Sequence, residues 1–252
     1  MPAQLEHGEV HLWQTSTRNS QLIAPKLQVL LSGDERDKAM RFRRDADRDR
    51  YVASHAMVRL VLSRYVGAPP ASLEFGVGEH GKPELEQDPG FPLSFNLSHS
   101  GDLALFVISG ECAVGVDIEE IRDGMDVPPL ARSVLSEAEL QVLRAAPLDE
   151  QRSLFFRTWV RKEAVLKACG LGLALEPRQV AVLRDESGSD PCTATVLPAI
   201  NQAKWGVRDV EISDRYAAAV AAPGLDWSLR CFEHRWSAIT PPSDLQVLER
   251  RS

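Results

Sequence analysis

The 252-residue chain has no apolar run that approaches the roughly 18 to 20 residues needed to cross a membrane. Its first residues, MPAQLEHGEV, lack the basic and apolar regions of a secretory signal peptide. The remaining composition, with 44% hydrophobic and 26% charged residues, is typical of a globular protein. We therefore predict a cytoplasmic protein without a membrane partner, built as one large domain or two small ones.

Cysteine and net positive charge are also scarce. The cysteines are Cys112, Cys169, Cys192 and Cys231. Their scattered spacing argues against a zinc site or a disulfide framework, and we expect them in the core. The formal net charge of -7 argues against broad nucleic-acid binding, because duplex recognition normally needs a basic surface. Any anionic ligand must therefore be held by a local group of basic residues.

The stretch Phe155–Gly172 has the clearest helical pattern in the chain. Its apolar positions recur near a 3.6-residue period at Phe155, Trp159, Leu166 and Cys169. Gly170 is a typical helix stop. Glu163 and Lys167 lie four residues apart and therefore share one helix face. Such a pair is usually an exposed ion pair worth a few tenths of a kcal/mol, so the role of this face depends on the motifs upstream.

Segment 36–50 carries charges of both signs. Its basic residues are Arg36, Lys38, Arg41, Arg43, Arg44, Arg48 and Arg50, with aspartates interleaved. Two interpretations stay open, a solvated helical face or a face that grips phosphate. Ser32 and the residues after it are typical of a helix start, and the pattern predicts one long helix near 36–64 that ends before Gly67. His55 on this helix is more typical of a packed or surface histidine than of a catalyst.

Two apolar runs, 91–99 and 103–109, predict a β-hairpin with a tight turn between them. The polar residues gathered toward its tip are Asn96, Ser98, His99 and Ser100. Turn chemistry alone also explains a Ser-His-Ser sequence at such a place. The role of these residues therefore depends on what lies beside the hairpin.

The run 113–119 predicts a strand with an unusual polar face. Because side chains alternate along a strand, Gly115, Asp117 and Glu119 share the face opposite to the valines and isoleucine. Two carboxylates about 7 Å apart on one face repel each other unless a cation or a basic side chain lies between them. The sequence Gly-Val-Asp-Ile-Glu therefore indicates a cation-dependent site, although a strand end with two acids is exposed by default.

The other elements are predicted from shorter signals. A strand is expected at 10–15, and a turn at 80–83, where Pro83 holds Lys82 in extended backbone geometry. Ser136, with Glu139 three residues on, is a good N-cap for a further helix. The β-rich tail is predicted at 179–183, 192–197, 205–212, 216–222 and 227–232.

Taken together, three motifs resemble the ordered motif set of the 4′-phosphopantetheinyl transferases of the long, surfactin-synthetase-activating type. They are Asn96–Ser100, Gly115–Glu119 and Trp159–Lys167, supported upstream by Gly81–Pro83, Arg41-Phe42 and Arg50. Each motif is weak singly, but the three in this order and spacing are specific. The resemblance runs from about residue 36 to the final hairpin. It has one departure: aligned on Phe42, Glu35 stands where some members of the family carry a basic residue.

The resemblance implies an α+β fold, the pseudo-twofold duplicated 4′-phosphopantetheinyl transferase fold, with two similar halves and the active site in the cleft between them. Each half would pair one long helix, near 36–64 or 150–169, with short strands. We expect residues 1–113 to form the half with the nucleotide-binding elements, and residues 114–252 the half with the metal-binding and catalytic elements. Internal duplication favours a monomer.

The implied reaction moves the 4′-phosphopantetheine arm of coenzyme A to a serine of apo acyl or peptidyl carrier proteins and releases adenosine 3′,5′-bisphosphate. Such an enzyme, a holo-[acyl-carrier-protein] synthase, would depend on Mg²⁺, with Mn²⁺ as an alternative, and would serve non-ribosomal peptide and polyketide synthetases. The carrier protein would dock near residues 121–135. The apolar residues expected to make that contact are Val127, Leu130 and Val134.

The resemblance also implies residue roles. The metal ligands would be Asp117, Glu119 and Glu163, which supply the oxygen ligands that Mg²⁺ prefers. The implied catalytic residues are Glu163, Lys167 and His99. Glu163 would be the base, directly or through a metal-bound water, and Lys167 would stabilise or protonate the leaving phosphate. The implied coenzyme-binding residues are Lys38, Arg41, Arg50, Lys82, Ser98, His99 and Lys167.

Two other functions are weighed against this one. A non-catalytic module that binds coenzyme A or a nucleotide would not need a base or a full set of metal ligands. A metal-dependent phosphohydrolase would use the same acids on water, and would release adenosine bisphosphate without a carrier protein.

Overall fold

The computed structural model describes residues 4–78, 81–170, 175–183, 192–196, 204–236 and 247–250. Leu197, in one predicted strand, lies outside these ranges, and so do His80 in the predicted turn and the side chain of Cys192. Within the described ranges, no helix has the length and apolar character needed to span a membrane.

The helices are α1 (Ala24–Leu27), α2 (Gly33–Met40), α3 (Asp45–Val66), α4 (Val127–Val134), α5 (Glu137–Ala145) and α6 (Leu148–Cys169). The strands are β1 (Glu9–Ser16), β2 (Phe75–Val77), β3 (Pro83–Leu85), β4 (Ser94–Ser100), β5 (Leu103–Ser109), β6 (Gly115–Glu120), β7 (Val180–Leu183), β8 (Cys192–Val196), β9 (Trp205–Asp209), β10 (Tyr216–Pro223), β11 (Ser228–His234) and β12 (Val247–Arg250). Short 3-10 turns lie at Ser20–Leu22, Gln28–Leu30, Pro70–Ser72 and Pro177–Gln179.

Most strands belong to two five-stranded sheets, which confirms the α+β class. The first sheet has the order β12-β11-β1-β5-β4 and the second the order β6-β10-β9-β8-β7. In the first sheet β1 pairs in parallel with β11 and antiparallel with β5. The chain therefore returns, after building the second sheet, to add β11 and β12 to the first. The division of the chain after residue 113 stays a prediction.

The two sheets pack face to face, and a long helix covers the outer face of each. Between the sheets, Val10 and Val107 of the first lie in one apolar cluster with Val116 and Val220 of the second. Two further clusters lie on the outer faces, one around α3 and the other around α6. The alternation predicted for β6 produces this arrangement, because its valines and isoleucine enter the middle layer while its other face meets α6.

The helix predicted near 36–64 is wrong in one respect, because the structure divides it into α2 and α3. The residue before α3, Arg44, has extended backbone angles of φ -110° and ψ 129°, so the helix cannot run through it. Asp45 and Asp47 then occupy the first turn of α3, where negative charge is favourable. The basic segment 36–50 therefore forms the end of α2, an exposed connection and the start of α3.

In each half the long helix is held by the same arrangement, which we call the lock. A buried cation on the long helix bonds the capping-box glutamate of the preceding helix and two backbone carbonyls. In the first half, Ser32 and Glu35 form a capping box at the start of α2, and Glu35 Oε2 accepts a hydrogen bond of 2.6 Å from Arg59 Nε on α3. The Arg59 side chain is only 1% exposed, and its guanidinium also bonds the carbonyls of Pro70 and Leu73. A buried cation with three hydrogen bonds fixes the two helices against the following turn.

In the second half, Ser136 and Glu139 form the capping box of α5, and Glu139 pairs at 2.6 Å with Lys162 on α6. Lys162 is fully buried and also donates to the carbonyls of Pro177 and Val180. Both long helices have 22 residues and end at a left-handed glycine, Gly67 after α3 and Gly170 after α6. These repeated features agree with a duplicated fold.

Candidate active site

The edges of the two sheets meet where β4 lies beside β6. Each is the last strand of its own sheet, and the two strands are not paired with each other through the backbone. Instead, polar side chains of β4 satisfy the free amides of β6. Asn96 Oδ1 accepts from the Val116 amide at 3.0 Å, and Ser100 Oγ accepts from the Glu120 amide at 3.0 Å. The polar residues predicted at the hairpin tip therefore join the two halves.

Asp117 is the centre of this junction. It is 4% exposed, and its Oδ1 atom accepts hydrogen bonds from Ser98 Oγ at 2.9 Å and from Lys167 Nζ at 2.6 Å. Lys167 also donates to Ser98 at 3.0 Å. The other oxygen, Asp117 Oδ2, is buried without a hydrogen-bond partner. An uncompensated carboxylate oxygen in such a place is costly unless a ligand uses it.

Two more carboxylates lie close enough to influence each other. Ser100 Oγ donates to Glu119 Oε2 at 2.9 Å. Burial raises the pKa of Glu119, and the negative charge of Asp117 adds to that effect. Burial likewise raises the pKa of Glu163; Asp117 and Glu119 reinforce the rise, whereas Lys167 opposes it. The structure thus brings together the three acids and the lysine that the sequence predicted at this site.

Gly115 is needed for this approach of α6 to β6. A Cβ at this position would overlap with the Ala164 carbonyl oxygen and the Ala168 amide of α6. The missing side chain therefore makes room for the helix, and the close contact brings α6 with Glu163 and Lys167 up to β6.

His99 lies on β4, in the first half, beside the same cleft. The residue keeps an exposed edge, yet the surrounding protein desolvates it, which lowers its pKa. The positive charges of His55, Lys167 and Arg50 lower it further. His99 is therefore surrounded by cations, which favours an anion at this point of the cleft.

Lys82 reaches the same junction from the turn before β3. Its Nζ donates to the Val114 carbonyl at 2.9 Å, at the start of β6. Burial lowers its pKa, and the negative charge of Glu84 opposes the shift. In this structure the ammonium bonds the protein backbone. The predicted contact of Lys82 with the coenzyme stays a prediction.

The basic residues predicted to hold phosphate do not all converge. Arg50 is half-buried and pairs with Asp47 at 3.4 Å and with Asp102 at 3.3 Å. Lys38 is exposed, with its ammonium 5.4 Å from the centre of the Tyr51 ring. Arg41 is exposed in the connection between α2 and α3. Arg50 thus lies close enough to His99 to lower its pKa, whereas Lys38 and Arg41 are exposed on α2 and directly after it.

The acids at the junction fit a hard divalent cation in their chemistry. The unsatisfied oxygen of Asp117 and the raised pKa values of Glu119 and Glu163 are what a bound cation would relieve. Among the residues that the structure describes, no three metal-ligating side chains are gathered tightly enough to enclose an ion. The lysine at Asp117 Oδ1 takes part of the neutralising role instead.

The predicted docking contact at 121–135 needs a correction at Val134, which is 6% exposed and therefore buried. Val127 and Leu130 pack against the core around α6 but are only partly buried, so their contact with the carrier stays a prediction. The exposed residues of α4 include Arg132 and Ser133. Arg132 also lines a groove of about 460 Å³ that α4 shares with α5. The other residues of the groove are Leu135, Ser136, Glu137, Leu140, Arg144 and Arg178.

Sequence reasoning assigned no role to several polar residues that the structure makes important. Lys162 lies inside the Trp159–Lys167 motif, but its buried ion pair cannot be read from helix periodicity. Ser100 holds Glu119, and the charge of His55 lowers the pKa of His99. The signal for Ser100 was its place on the polar face of the hairpin, whereas nothing in the sequence marked His55.

The fold and the cleft together define a two-sheet α+β protein with a group of carboxylates and a lysine at the junction of its two halves. A family model described as 4′-phosphopantetheinyl transferase, N-terminal, matches residues 12–112. A second, described as the 4′-phosphopantetheinyl transferase superfamily, matches residues 113–221. The two models therefore meet where the chain passes from β5 to β6.

Individual relatives agree with the family models. The 4′-phosphopantetheinyl transferase HetI of Nostoc sp. is 34% identical over 221 residues, which cover 87% of this chain and 90% of the relative. The 4′-phosphopantetheinyl transferase of Bacillus subtilis is 29% identical over 192 residues, which cover 72% and 83%. A solved holo-(acyl-carrier-protein) synthase from Bacillus anthracis, in complex with CoA (3′,5′-ADP), has 19% identity and a TM-score of 0.39, and covers 46% of this chain and 98% of that one.

This chain belongs to the 4′-phosphopantetheinyl transferase family, and it is an enzyme that transfers phosphopantetheine to carrier proteins.

Proposed function

We propose that the enzyme transfers the 4′-phosphopantetheine arm of coenzyme A to a serine of an apo carrier domain in a magnesium-dependent reaction, with release of adenosine 3′,5′-bisphosphate. The observation that carries this proposal is the convergence of Asp117, Glu119, Glu163 and Lys167 at the junction of the two halves. A phosphate-bearing substrate needs the lysine, and a serine nucleophile needs a nearby base. A non-catalytic binding module needs no base.

Glu163 is the residue we assign as the base. Burial and the neighbouring carboxylates raise its pKa, which makes it a better proton acceptor than an ordinary exposed glutamate. It lies on α6 one turn before Lys167, so the base and the cation face the same part of the cleft. Glu163 takes the proton of the carrier serine while that oxygen attacks the β-phosphate.

Lys167 stabilises the leaving side of the reaction. Its side chain is 30% exposed and its ammonium is held by Asp117 and Ser98, so it can contact a phosphate oxygen without moving far. His99 adds a second donor from the first half. As the phosphoanhydride bond breaks, negative charge grows on the departing adenosine bisphosphate, and these donors are placed to bind it.

Asp117, Glu119 and Glu163 would hold Mg²⁺ or Mn²⁺, which supplies charge neutralisation for the pyrophosphate. The basic residues that would hold the nucleotide are Lys38, Arg41, Arg50 and Lys82. Arg50, which lies close enough to His99 to lower its pKa, is the best placed of these for the pyrophosphate, and Lys38 lies further out along α2.

We further propose that the enzyme is of the long, surfactin-synthetase-activating type, that it is a cytoplasmic monomer without a nucleic-acid partner, and that its carriers belong to non-ribosomal peptide or polyketide synthetases. The match of both halves to family models over 12–112 and 113–221 supports the long type. The carrier would dock near 121–135. The exposed side chains of this segment that could meet the carrier include Arg122, Arg132 and Ser133, and Val127 and Leu130 keep part of their surface exposed.

The test is the intact mass of a purified apo carrier domain after incubation with the enzyme, coenzyme A and Mg²⁺. We expect a gain equal to one phosphopantetheine arm, and we expect chelator to prevent it. Nucleotide release without a gain in carrier mass would identify a phosphohydrolase. Coenzyme A binding without any transfer, with carriers from several pathways, would identify a binding module.

A further inference from the structure

The face of β4 that meets β6 carries four short polar side chains. They are Ser94, Asn96, Ser98 and Ser100, which share one face because side chains alternate along a strand. Three of them each accept a hydrogen bond from a backbone amide in the segment 114–120, always 20 residues further along the chain. The last two, Ser98 and Ser100, each donate to a carboxylate 19 residues further along. One strand of the first half therefore contacts both the backbone and the acids of the second.

The hydrogen bonds of the Ser100 hydroxyl have a fixed direction. Its oxygen accepts from the Glu120 amide at 3.0 Å and lies 2.9 Å from Glu119 Oε2. An ionised carboxylate can only accept, so the hydroxyl proton points to Glu119. This bond restricts a side chain that otherwise has many rotamers. No residue that the structure describes donates to the other oxygen, Glu119 Oε1.

Ser98 holds Asp117 by the same kind of contact. Its hydroxyl lies 2.9 Å from Asp117 Oδ1 and accepts from Lys167 Nζ at 3.0 Å. The serine proton therefore points to the aspartate, whose Oδ1 also accepts from Lys167. Asp117 Oδ2 is buried without a partner. Within the described part of the chain, each acid thus has one oxygen bonded to a β4 serine and one oxygen without a donor.

Metal ligands bind more tightly when neighbouring groups hold them in one orientation. We infer that Ser98 and Ser100 are positioning residues for the metal: each bonds one oxygen of its acid and so leaves the other oxygen for the cation. The first half of the chain then controls the metal affinity of ligands that lie in the second half. This role for Ser98 differs from the coenzyme contact that the family resemblance implies. The inference rests on the proposed function, because it takes Asp117 and Glu119 as metal ligands from it.

The experiment measures the affinity of the whole chain for Mn²⁺ by electron paramagnetic resonance, in which the signal of the free ion falls as the ion binds. We expect Ser100→Ala to raise the dissociation constant for Mn²⁺ about tenfold or more, as is usual when the partner of a metal ligand is removed. Ser98→Ala should act similarly through Asp117. Ser100→Thr keeps the hydroxyl and should recover most of the affinity. In Ser100→Ala the Mg²⁺ concentration needed for half-maximal transfer should rise, whereas the rate at saturating Mg²⁺ should stay close to that of the wild type.

The matched control is Ser94→Ala. Ser94 lies on the same face of β4 and accepts from the Val114 amide at 3.4 Å, but none of its hydrogen bonds in the described part of the chain reaches a carboxylate. Its loss should leave Mn²⁺ affinity unchanged. Equal weakening in Ser94→Ala and Ser100→Ala would overturn the inference, because the serines would then act only by joining the halves.

Unchanged Mn²⁺ affinity in both Ser98→Ala and Ser100→Ala would also overturn the inference, and would leave the proposed function standing if the wild type transfers phosphopantetheine. A wild type that binds no Mn²⁺ and transfers equally well in chelator would contradict the metal dependence on which both rest. Should Ser100→Ala fail to fold, Ser98→Ala provides the same comparison at Asp117.

Discussion

The two halves share the lock but differ in the residue that follows its buried cation in the chain. In each half, a buried cation on the long helix bonds the capping-box glutamate of the preceding helix and two backbone carbonyls. Arg59 is followed by Leu60, which is buried in the apolar core of the first half. Lys162 is followed by Glu163, whose pKa is raised by burial and by other carboxylates. The lock holds the fold, whereas we expect the glutamate to serve the chemistry.

The lock around Lys162 and the cleft around Asp117 also differ in how well their charges are satisfied. The ammonium of Lys162 is fully buried, and Glu139 and two carbonyls surround it. At the cleft, Asp117 keeps one oxygen without a partner, and Lys167 remains partly exposed. A satisfied ion pair stabilises one geometry, but an unsatisfied group of acids weakens the fold and is retained for a ligand.

The largest effect is expected from removing the charge at the cleft. Asp117→Asn should lower the rate of phosphopantetheine transfer about 10³-fold, because the variant loses a proposed metal ligand and the charge that orients Lys167. The measurement is the initial rate of carrier modification followed by mass spectrometry. The matched control is Asp49→Asn in the first half, another buried aspartate, which pairs with Arg48. If both variants lost transfer equally, the contrast between the halves would be wrong.

The next largest effect is expected from removing the buried cation of either lock, and the two halves should lose similar stability. Lys162→Ala and Arg59→Ala should each lower the free energy of unfolding by about 3 to 5 kcal/mol, because each leaves a buried glutamate without its cation. Urea unfolding followed by circular dichroism measures this loss. The double variant Lys162→Met with Glu139→Leu removes both charges and should recover most of it. A loss below about 1 kcal/mol in either single variant would show that the corresponding lock does not hold its half.

A smaller and pH-dependent effect is expected from Glu35. Its pKa falls from 4.5 to about 2 in the folded protein, so its stabilisation is present above the unfolded pKa and is lost as pH falls toward 2. The advantage of the wild type over Glu35→Gln should therefore be about 3 kcal/mol at pH 7 and should shrink steadily below about pH 5. Urea unfolding at a series of pH values measures the difference. A difference that stayed constant down to pH 3 would contradict this account of the first lock.

The sequence predicted the parts of the molecule that depend on local pattern. The hairpin of β4 and β5, the helix start at Ser32, the N-cap at Ser136 and the glycine stop of α6 are confirmed, because each follows from neighbouring residues. Asp117, Glu119, Glu163 and Lys167 were expected to share a site, and the structure brings them together. Their roles in binding and catalysis remain predictions.

What the sequence could not predict depends on packing between distant segments. The break between α2 and α3 lies in a run of charged residues that has ordinary helical character. The burial of Val134 depends on the core around α6, and Lys162 pairs with Glu139 on another helix. Gly115 also shows the limit, since its neighbour is the backbone of α6, more than forty residues further along the chain.

The most direct test of the contrast between the halves replaces Glu163 by the residue that follows the buried cation in the first half. Glu163→Leu should lower transfer to a carrier domain at least about 10³-fold, whereas the free energy of unfolding of the same sample should stay unchanged or rise, because a carboxyl with a raised pKa has been removed. Transfer within tenfold of the wild type, or a variant that fails to fold, would contradict the claim that Glu163 is kept for chemistry rather than for the fold.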